Sequence, residues 1–275
     1  QEIFSTLLAG GSLYPINDDI KTDIPRLLDF IERNRISILY LPPAYLHLIF
    51  SRPEYARKFP GTVKHIIAAG EQLVVSQPLA EYLRENGVYL HNHYGPTETH
   101  VVTTLVIEPG QEAEEFPSIG RPIANTRIYI LDEQGNPQPI GAAGELVIAG
   151  ANVGRGYLNR PELTSEKFPT RGIPENQSPV LLEGARAACY KTGDLAAWLP
   201  GGVLRFIGRK DKQVKIRGFR IELGEIENHL KEIEPIKESV VIDRQVPGGD
   251  KYLCAYLVSG QQVEIAEVKE KLQRR

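Results

Sequence analysis

Ser76-Gln-Pro-Leu-Ala-Glu-Tyr-Leu-Arg-Glu-Asn-Gly-Val-Tyr-Leu-His-Asn-His-Tyr-Gly-Pro-Thr-Glu98 is the stretch that decides the fold. It predicts a helix over about Ser76 to Glu85, then a buried strand, Val88 to His91, running out into a tight Gly95-Pro96 turn. Upstream the same alternation recurs. Asp23 followed by Pro25 starts a helix, with Leu27, Leu28, Phe30 and Ile31 apolar along it. Ile36 to Leu41 reads as a fully buried strand stopped by Pro42-Pro43, and Val63 to Ala68 as another, ending at Ala69-Gly70-Glu71. Helix alternating with buried strand is the pattern of an α/β fold with a layered, mostly parallel sheet. In such sheets ligands bind beyond the carboxyl ends of the strands, where Gly70-Glu71 and Asn92 to Glu98 both fall.

From about Arg127 the texture changes. Arg127 to Asp132, Glu145 to Ala149, Ala196 to Leu199, Val203 to Ile207 and Gln213 to Ile216 are short β-like runs split by Gly and Pro. They predict an antiparallel, barrel-like unit. After Asp211 the order is strand, helix (about Leu223 to Glu232), strand, strand (Tyr252 to Val258) and helix, which is a small α+β domain. The expected division is therefore 1–210 and 211–275. Gly172 to Pro179 is the most loop-like stretch.

Composition excludes several classes. With 275 residues, 41% apolar and 24% charged, the chain is an ordinary globular one with room for roughly two domains. A net charge of −3 gives no reason to expect a nucleic-acid partner. No apolar run approaches the ~20 residues of a membrane-spanning helix, so no membrane partner is expected. Two cysteines, Cys189 and Cys254, make no disulfide framework, which points to a reducing, cytoplasmic location. Methionine is absent even at position 1, and Ala266 to Arg275 reads as a helix without a stop signal. A piece of a longer protein, truncated at both ends, is the expectation.

Asn92 to Glu98 offers an amide, an aromatic face, a hydroxyl and a carboxylate in one short loop. These are groups that hold a purine, touch a phosphate and coordinate a hard divalent cation. Glu98 reads either as a surface carboxylate or, beside the Thr97 hydroxyl, as a Mg²⁺ ligand; a single glutamate suffices when substrate oxygens and water complete the shell. Tyr94 reads as a core aromatic or as a platform for adenine. Asp194, in Tyr190-Lys191-Thr192-Gly193-Asp194, is a turn aspartate or a carboxylate for the two hydroxyls of a ribose. Gly208-Arg209-Lys210-Asp211, with Lys212, Lys215, Arg217 and Arg220 following, is a solvated basic stretch or, as the change of texture favours, a hinge. Gly150 to Tyr157 is glycine-rich but lacks the Lys-Ser/Thr of a phosphate loop, and reads as structural. Taken together the motifs point to an enzyme that handles ATP.

Over essentially its whole length the chain resembles the adenylation domain of non-ribosomal peptide synthetases, within the adenylate-forming superfamily. The resemblance is carried by Asn92-x-Tyr94-Gly95-Pro96-Thr97-Glu98, by Gly144-Glu145-Leu146 through Arg155-Gly156-Tyr157, by Tyr190 to Asp194, and by Gly208-Arg209 through Arg220-Ile221-Glu222-Leu223, in family order. It implies the adenylate-forming fold and two half-reactions. An amino-acid carboxylate attacks the α-phosphate of ATP, and the aminoacyl group then passes to the phosphopantetheine thiol of a peptidyl carrier domain, with a condensation domain as neighbour. It assigns adenine to Asn92 and Tyr94, with Gly70 and Glu71 alongside. Thr97 is assigned the α-phosphate, Glu98 the Mg²⁺ ion, Asp194 and Arg209 the ribose, and Asp211 the hinge.

The substrate-lining positions of that family fall on Gln1, Tyr40, Ile67, Ala69, His93, Val101 and Val102. Four of these are small and apolar, none is charged, and Tyr40 shortens the cavity, which favours a compact aliphatic substrate. The string resembles that of proline-activating domains, with a methylated proline close behind. Filler of a core, with His93 a buried imidazole, is the plain reading. The family's phosphate loop and its bridging lysine are expected outside residues 1–275, so the chain by itself is expected to be inactive. An acyl- or aryl-CoA synthetase, or a degenerate scaffold domain, are the other functions compatible with this fold; intact Thr97, Glu98, Asp194 and Arg209 speak against the scaffold.

Overall fold

The computed structural model describes residues 2–169, 189–211, 213–216, 219–245 and 251–273, so Gln1 and the loop-like Gly172 to Pro179 lie outside the described residues. The chain forms two compact units, Gln1–Gly208 and Arg209–Arg275.

The first unit opens with α1 (Glu2–Leu8), α2 (Asp18–Thr22) and α3 (Ile24–Arg33). Asp23 caps α3, its carboxylate accepting the Arg26 N–H at 3.1 Å, and one face of α3 buries Ile24, Leu27, Leu28 and Ile31. There follow β1 (Ile38–Tyr40), α4 (Pro43–Phe50), α5 (Pro53–Ala56), β2 (His65–Ala69), α6 (Gln77–Asn86), β3 (Tyr89–Tyr94), β4 (Thr103–Ile107) and β5 (Arg121–Pro122). The strands lie side by side in chain order; β1, β2 and β3 are parallel, whereas β4 and β5 run antiparallel to their neighbours. The sheet is mixed because the chain turns straight back after Tyr94, and so short a loop cannot carry the crossover that a parallel neighbour needs.

Three expectations change in detail. The strand expected to be fully buried over Ile36 to Leu41 is shorter and half-exposed, with Ile38 49% accessible, because among the described residues β1 is an edge strand paired only with β2. Pro42-Pro43 starts α4 as well as stopping the strand, since proline at the first helical turn forfeits no needed N–H. The strand expected to end at His91 runs on to Tyr94, which places Asn92 and His93 in the sheet rather than in a loop.

Register sorts this sheet into two faces. Leu39, Ile66, Leu90 and Ile107 stand in line on the face covered by α3, α4 and α6, in a cluster that holds Leu46, Ile49, Phe50, Leu79 and Leu83. Tyr40, Ile67 and His91 stand in line on the other face.

A second sheet contains β6 (Thr126–Leu131), β7 (Gly144–Gly150), β8 (Cys189–Leu199) and β9 (Val203–Arg209) in that order, with α7 (Pro161–Lys167) in the connection before β8. This is the antiparallel, barrel-like unit expected from sequence, in half-barrel form. Ala196 to Leu199 proves to be only the end of an 11-residue strand that includes Tyr190 to Asp194. The second unit contains the hairpin β10 (Gln213–Ile216) and β11 (Phe219–Glu222), then α8 (Leu223–Lys231), the hairpin β12 (Ile236–Gln245) and β13 (Lys251–Ser259), and α9 (Ile265–Gln273). Gln213 to Ile216 therefore pairs with β11 and not with the half-barrel. Leu223, Leu230, Ile236, Val241 and Val268 form this unit's own core. Among the described residues no helix is long and apolar enough to cross a membrane.

Ile66 is fully buried at the centre of the first cluster. Its truncation to alanine is expected to lower stability by about 2–5 kcal/mol. Chemical denaturation followed by circular dichroism checks this.

Candidate active site

β3 delivers the motif. Because side chains alternate along a strand, Asn92 and Tyr94 point to the buried face and His93 to the other. Asn92 is 4% exposed and donates from Nδ2 to the Ser118 carbonyl at 2.9 Å. The Tyr94 ring joins the cluster of Val102, Ile128, Ile148 and Leu204, and its hydroxyl donates to Oδ2 of Asp194 at 2.5 Å.

Residues 95–102 then form a closed loop. Val102 N–H donates to the Tyr94 carbonyl at 2.8 Å, and Thr99 N–H to that of Pro96 at 3.1 Å. The loop folds on itself so closely that a Cβ on Gly95 would lie 1.8 Å from the His100 carbonyl oxygen, so only glycine fits. Thr97 is exposed at its tip and Glu98 is half-buried beside it. Oε1 of Glu98 accepts the Tyr157 hydroxyl at 2.6 Å.

Asp194 arrives by a bulge. Glu145 pairs with Leu195 and Val147 with Lys191, so Thr192, Gly193 and Asp194 all lie opposite Leu146. The extra residues turn the strand locally and aim Asp194 at the β3 end of the other sheet. Thr192 anchors the bulge: its hydroxyl donates to the Leu146 carbonyl at 2.7 Å and accepts the Asp194 N–H at 2.9 Å. Asp194 itself is 3% exposed.

Of the other residues singled out from sequence, Gly70 and Glu71 follow the carboxyl end of β2, where Gly70 has φ +98 and open space beside it. Tyr40 pairs with Ile67 and Ala69 with His93, so these four stand on one face of three adjacent strands. Val101 is half-buried in the loop, whereas Val102 is fully buried beside Tyr94 in the half-barrel core, away from that face. Arg209 and Asp211 belong to the second unit, where the guanidinium grips the carboxylate through Nε at 2.6 Å and Nη2 at 2.5 Å.

Sequence reading missed the part played by 150–157. Gly154 N–H donates to the Glu98 carbonyl at 2.8 Å, Asn152 Nδ2 to that of Thr99 at 3.3 Å, and Tyr157 reaches the Glu98 side chain. No local signal could have revealed this, since Tyr157 and Glu98 are 59 residues apart.

A family model described as AMP-binding enzyme matches residues 1–158 of the chain. The chain belongs to the AMP-binding enzymes. It is 57% identical over 258 residues, 94% of its length, to a segment of tyrocidine synthase 2 of Brevibacillus parabrevis. A solved non-ribosomal peptide synthetase protein with adenylation and PCP domains, bound to a vinylsulfonamide inhibitor, is 26% identical with a TM-score of 0.79 and is matched by 100% of this chain. A four-domain non-ribosomal peptide synthetase bound to AMP and glycine is 36% identical with a TM-score of 0.60 over 96% of the chain. The chain spans 7% of the length of the first, 46% of the second and 19% of the third. Its fold is thus that of the adenylate-forming enzymes.

In this AMP-binding enzyme the face of the first sheet opposite its helix-covered side carries a row of imidazoles. His65 Nδ1 and His91 Nε2 are 3.0 Å apart, a hydrogen bond in which one nitrogen carries the proton and the other, unprotonated, accepts it. Burial, with His65 second, holds His91 below the ordinary 6.5; burial, then His91 and His100, does the same for His93. His93 is 9% exposed, and its Nδ1 has no hydrogen-bond partner among the described residues. Burial pushes the Cys189 thiol up to about 11, away from the reactive thiolate form.

Two outcomes follow from this geometry. Tyr94→Phe strips a buried carboxylate of its phenol donor and is expected to cost about 1–3 kcal/mol in denaturant unfolding. For the histidines, the folded pKa lies below the unfolded one, so unfolding takes up protons as the pH falls. Their contribution is complete above 6.5 and is lost as the pH drops through the folded pKa. The thermal midpoint should therefore fall on acidification below 6.5, and His93→Asn should flatten that fall.

Proposed function

We propose that this chain is the core of an amino-acid-activating adenylation domain of a non-ribosomal peptide synthetase. It forms aminoacyl-AMP from ATP and passes the aminoacyl group to the phosphopantetheine thiol of a carrier domain. The observation that carries the reading is the Tyr94–Asp194 hydrogen bond, which joins two motifs 100 residues apart at the carboxyl end of β3. The likeness to peptide synthetases supports it.

The residues divide the work by position. Asn92, Tyr94, Gly70 and Glu71 border the adenine, and Asp194 receives the ribose hydroxyls; a part for Arg209 at the ribose rests on the resemblance alone. Thr97, exposed at the loop tip, donates its hydroxyl to the α-phosphate. Glu98, the next residue, offers a hard carboxylate oxygen, a donor that fits Mg²⁺ completed by phosphate oxygens and water. When bound, the ion neutralises charge on the phosphates. The substrate carboxylate oxygen then forms a bond to the α-phosphorus as the bond to pyrophosphate breaks. In the second step sulfur attacks the acyl carbon and AMP leaves with the bonding electron pair. Catalysis here is positioning and charge neutralisation. Asp211 is the hinge about which the second unit moves between the two steps.

The substrate is L-proline or a methylproline. Supporting this, Tyr40, Ile67, Ala69 and His93 share one sheet face, without a charged group among them to meet a charged side chain. One methyl alters binding in such a pocket by only ~1–3 kcal/mol, so the two substrates compete closely.

Amino-acid-dependent ATP–pyrophosphate exchange in the full-length protein that carries this chain tests the reading. Exchange is expected to peak with proline or a methylproline, and Glu98→Gln to reduce it roughly 10²-fold. A different amino acid overturns the substrate alone. Preference for carboxylic acids points instead to a CoA ligase, and silence to a scaffold.

A further inference from the structure

The glycine-rich segment 150–157 holds Glu98 at both ends. Its Gly154 N–H donates to the Glu98 carbonyl at 2.8 Å, while its Tyr157 hydroxyl donates to the Glu98 carboxylate at 2.6 Å. The first contact needs glycine for its closeness, because a Cβ on Gly154 would lie 2.8 Å from that same carbonyl oxygen. The second is held from behind. Tyr157 is fastened by Thr164, whose Oγ1 accepts the Tyr157 N–H at 2.9 Å and donates to its carbonyl at 3.3 Å. Phe168 meets the Tyr157 ring edge-on at 5.3 Å, and the Tyr190 hydroxyl lies 3.4 Å from that of Tyr157. The Glu98 side chain thus meets a phenol whose backbone is hydrogen-bonded to Thr164 and whose ring packs on Phe168.

We propose that Tyr157 is a positioning residue for Glu98, setting the carboxylate in the orientation in which it takes a divalent cation. This rests on the reading of Glu98 as the Mg²⁺ ligand. Mg²⁺ demands near-ideal octahedral geometry, so a site with one protein carboxylate gains most from having that carboxylate held still. Ligating carboxylates are in turn hydrogen-bonded, and loss of such an outer partner weakens metal binding about 10–100-fold. Tyr157 also ties the metal ligand to the strand that carries Asp194, through Tyr190.

Tyr157→Phe removes only the hydroxyl and keeps the ring against Phe168. In the full-length protein, Mn²⁺ binding in the presence of a non-hydrolysable ATP analogue is titrated by electron paramagnetic resonance, with Glu98→Gln alongside. Tyr157→Phe is expected to weaken Mn²⁺ binding about tenfold. It should raise the Mg²⁺ concentration for half-maximal pyrophosphate exchange by a similar factor, with the amino-acid KM unchanged. If Tyr157→Phe lowers the thermal midpoint but binds Mn²⁺ as the wild type does, while Glu98→Gln loses the ion, Tyr157 is structural and the proposal is overturned by itself. If Glu98→Gln also binds Mn²⁺ normally, Glu98 is not the ligand, and its assigned role falls together with the proposal.

Discussion

A buried carboxylate held by a buried phenol is the constraint on which the first unit's site depends. Asp194 is almost wholly withdrawn from water, and an ionised group there needs donors within reach. Tyr94 supplies one from the other sheet, at the end of β3. A charge-assisted hydrogen bond in such surroundings contributes about 1.5–3 kcal/mol, and leaving it unmade costs at least as much. The mixed sheet and the half-barrel are therefore joined at one defined point as well as by the apolar cluster around Val102 and Leu204. Two further features follow from that junction: the bulge in β8 that presents Asp194, and the early turn-back of the chain after Tyr94.

The period-2 geometry of β3 assigns the motif to two tasks. Asn92 and Tyr94, on the buried face, are anchored, the amide to Ser118 and the phenol to Asp194. His93, between them, faces the opposite way with Tyr40, Ile67 and Ala69, and carries a ring nitrogen nearly out of solvent that has no partner among the described residues. An unsatisfied polar atom in such a place costs free energy. Past the strand end, Thr97 is exposed at the loop tip, and Glu98 beside it is held by Tyr157 and Gly154.

Glycine serves the site in a way that differs from a phosphate loop. Gly95 and Gly154 are both places where backbone meets backbone too closely for a side chain. The first lets the 95–102 loop close on itself, and the second lets the 150–157 segment lie against it. Rigidity of the loop carrying Glu98 arises from this contact between distant segments, with Tyr157 locking the side chain once the backbones have met.

The sequence by itself determined the classes of element and the identity of the motifs. The cap at Asp23, the helix at 77–86, the strands at 65–69 and 126–131, and the division into an α/β part, a β part and a small α+β part all follow from local spacing, capping and turn chemistry. These are short-range effects, and so they are legible along the chain. Tertiary structure decided which of the motif's side chains share a face, that β4 returns antiparallel, that β1 is an edge, and that Thr192-Gly193-Asp194 is a bulge within a long strand rather than a turn. It also gave a glycine-rich segment read only as structural a specific task, holding Glu98. The reason is physical: strand pairing and buried hydrogen bonds join residues 59 or 100 positions apart, and no local propensity encodes which distant partner a carboxylate will find.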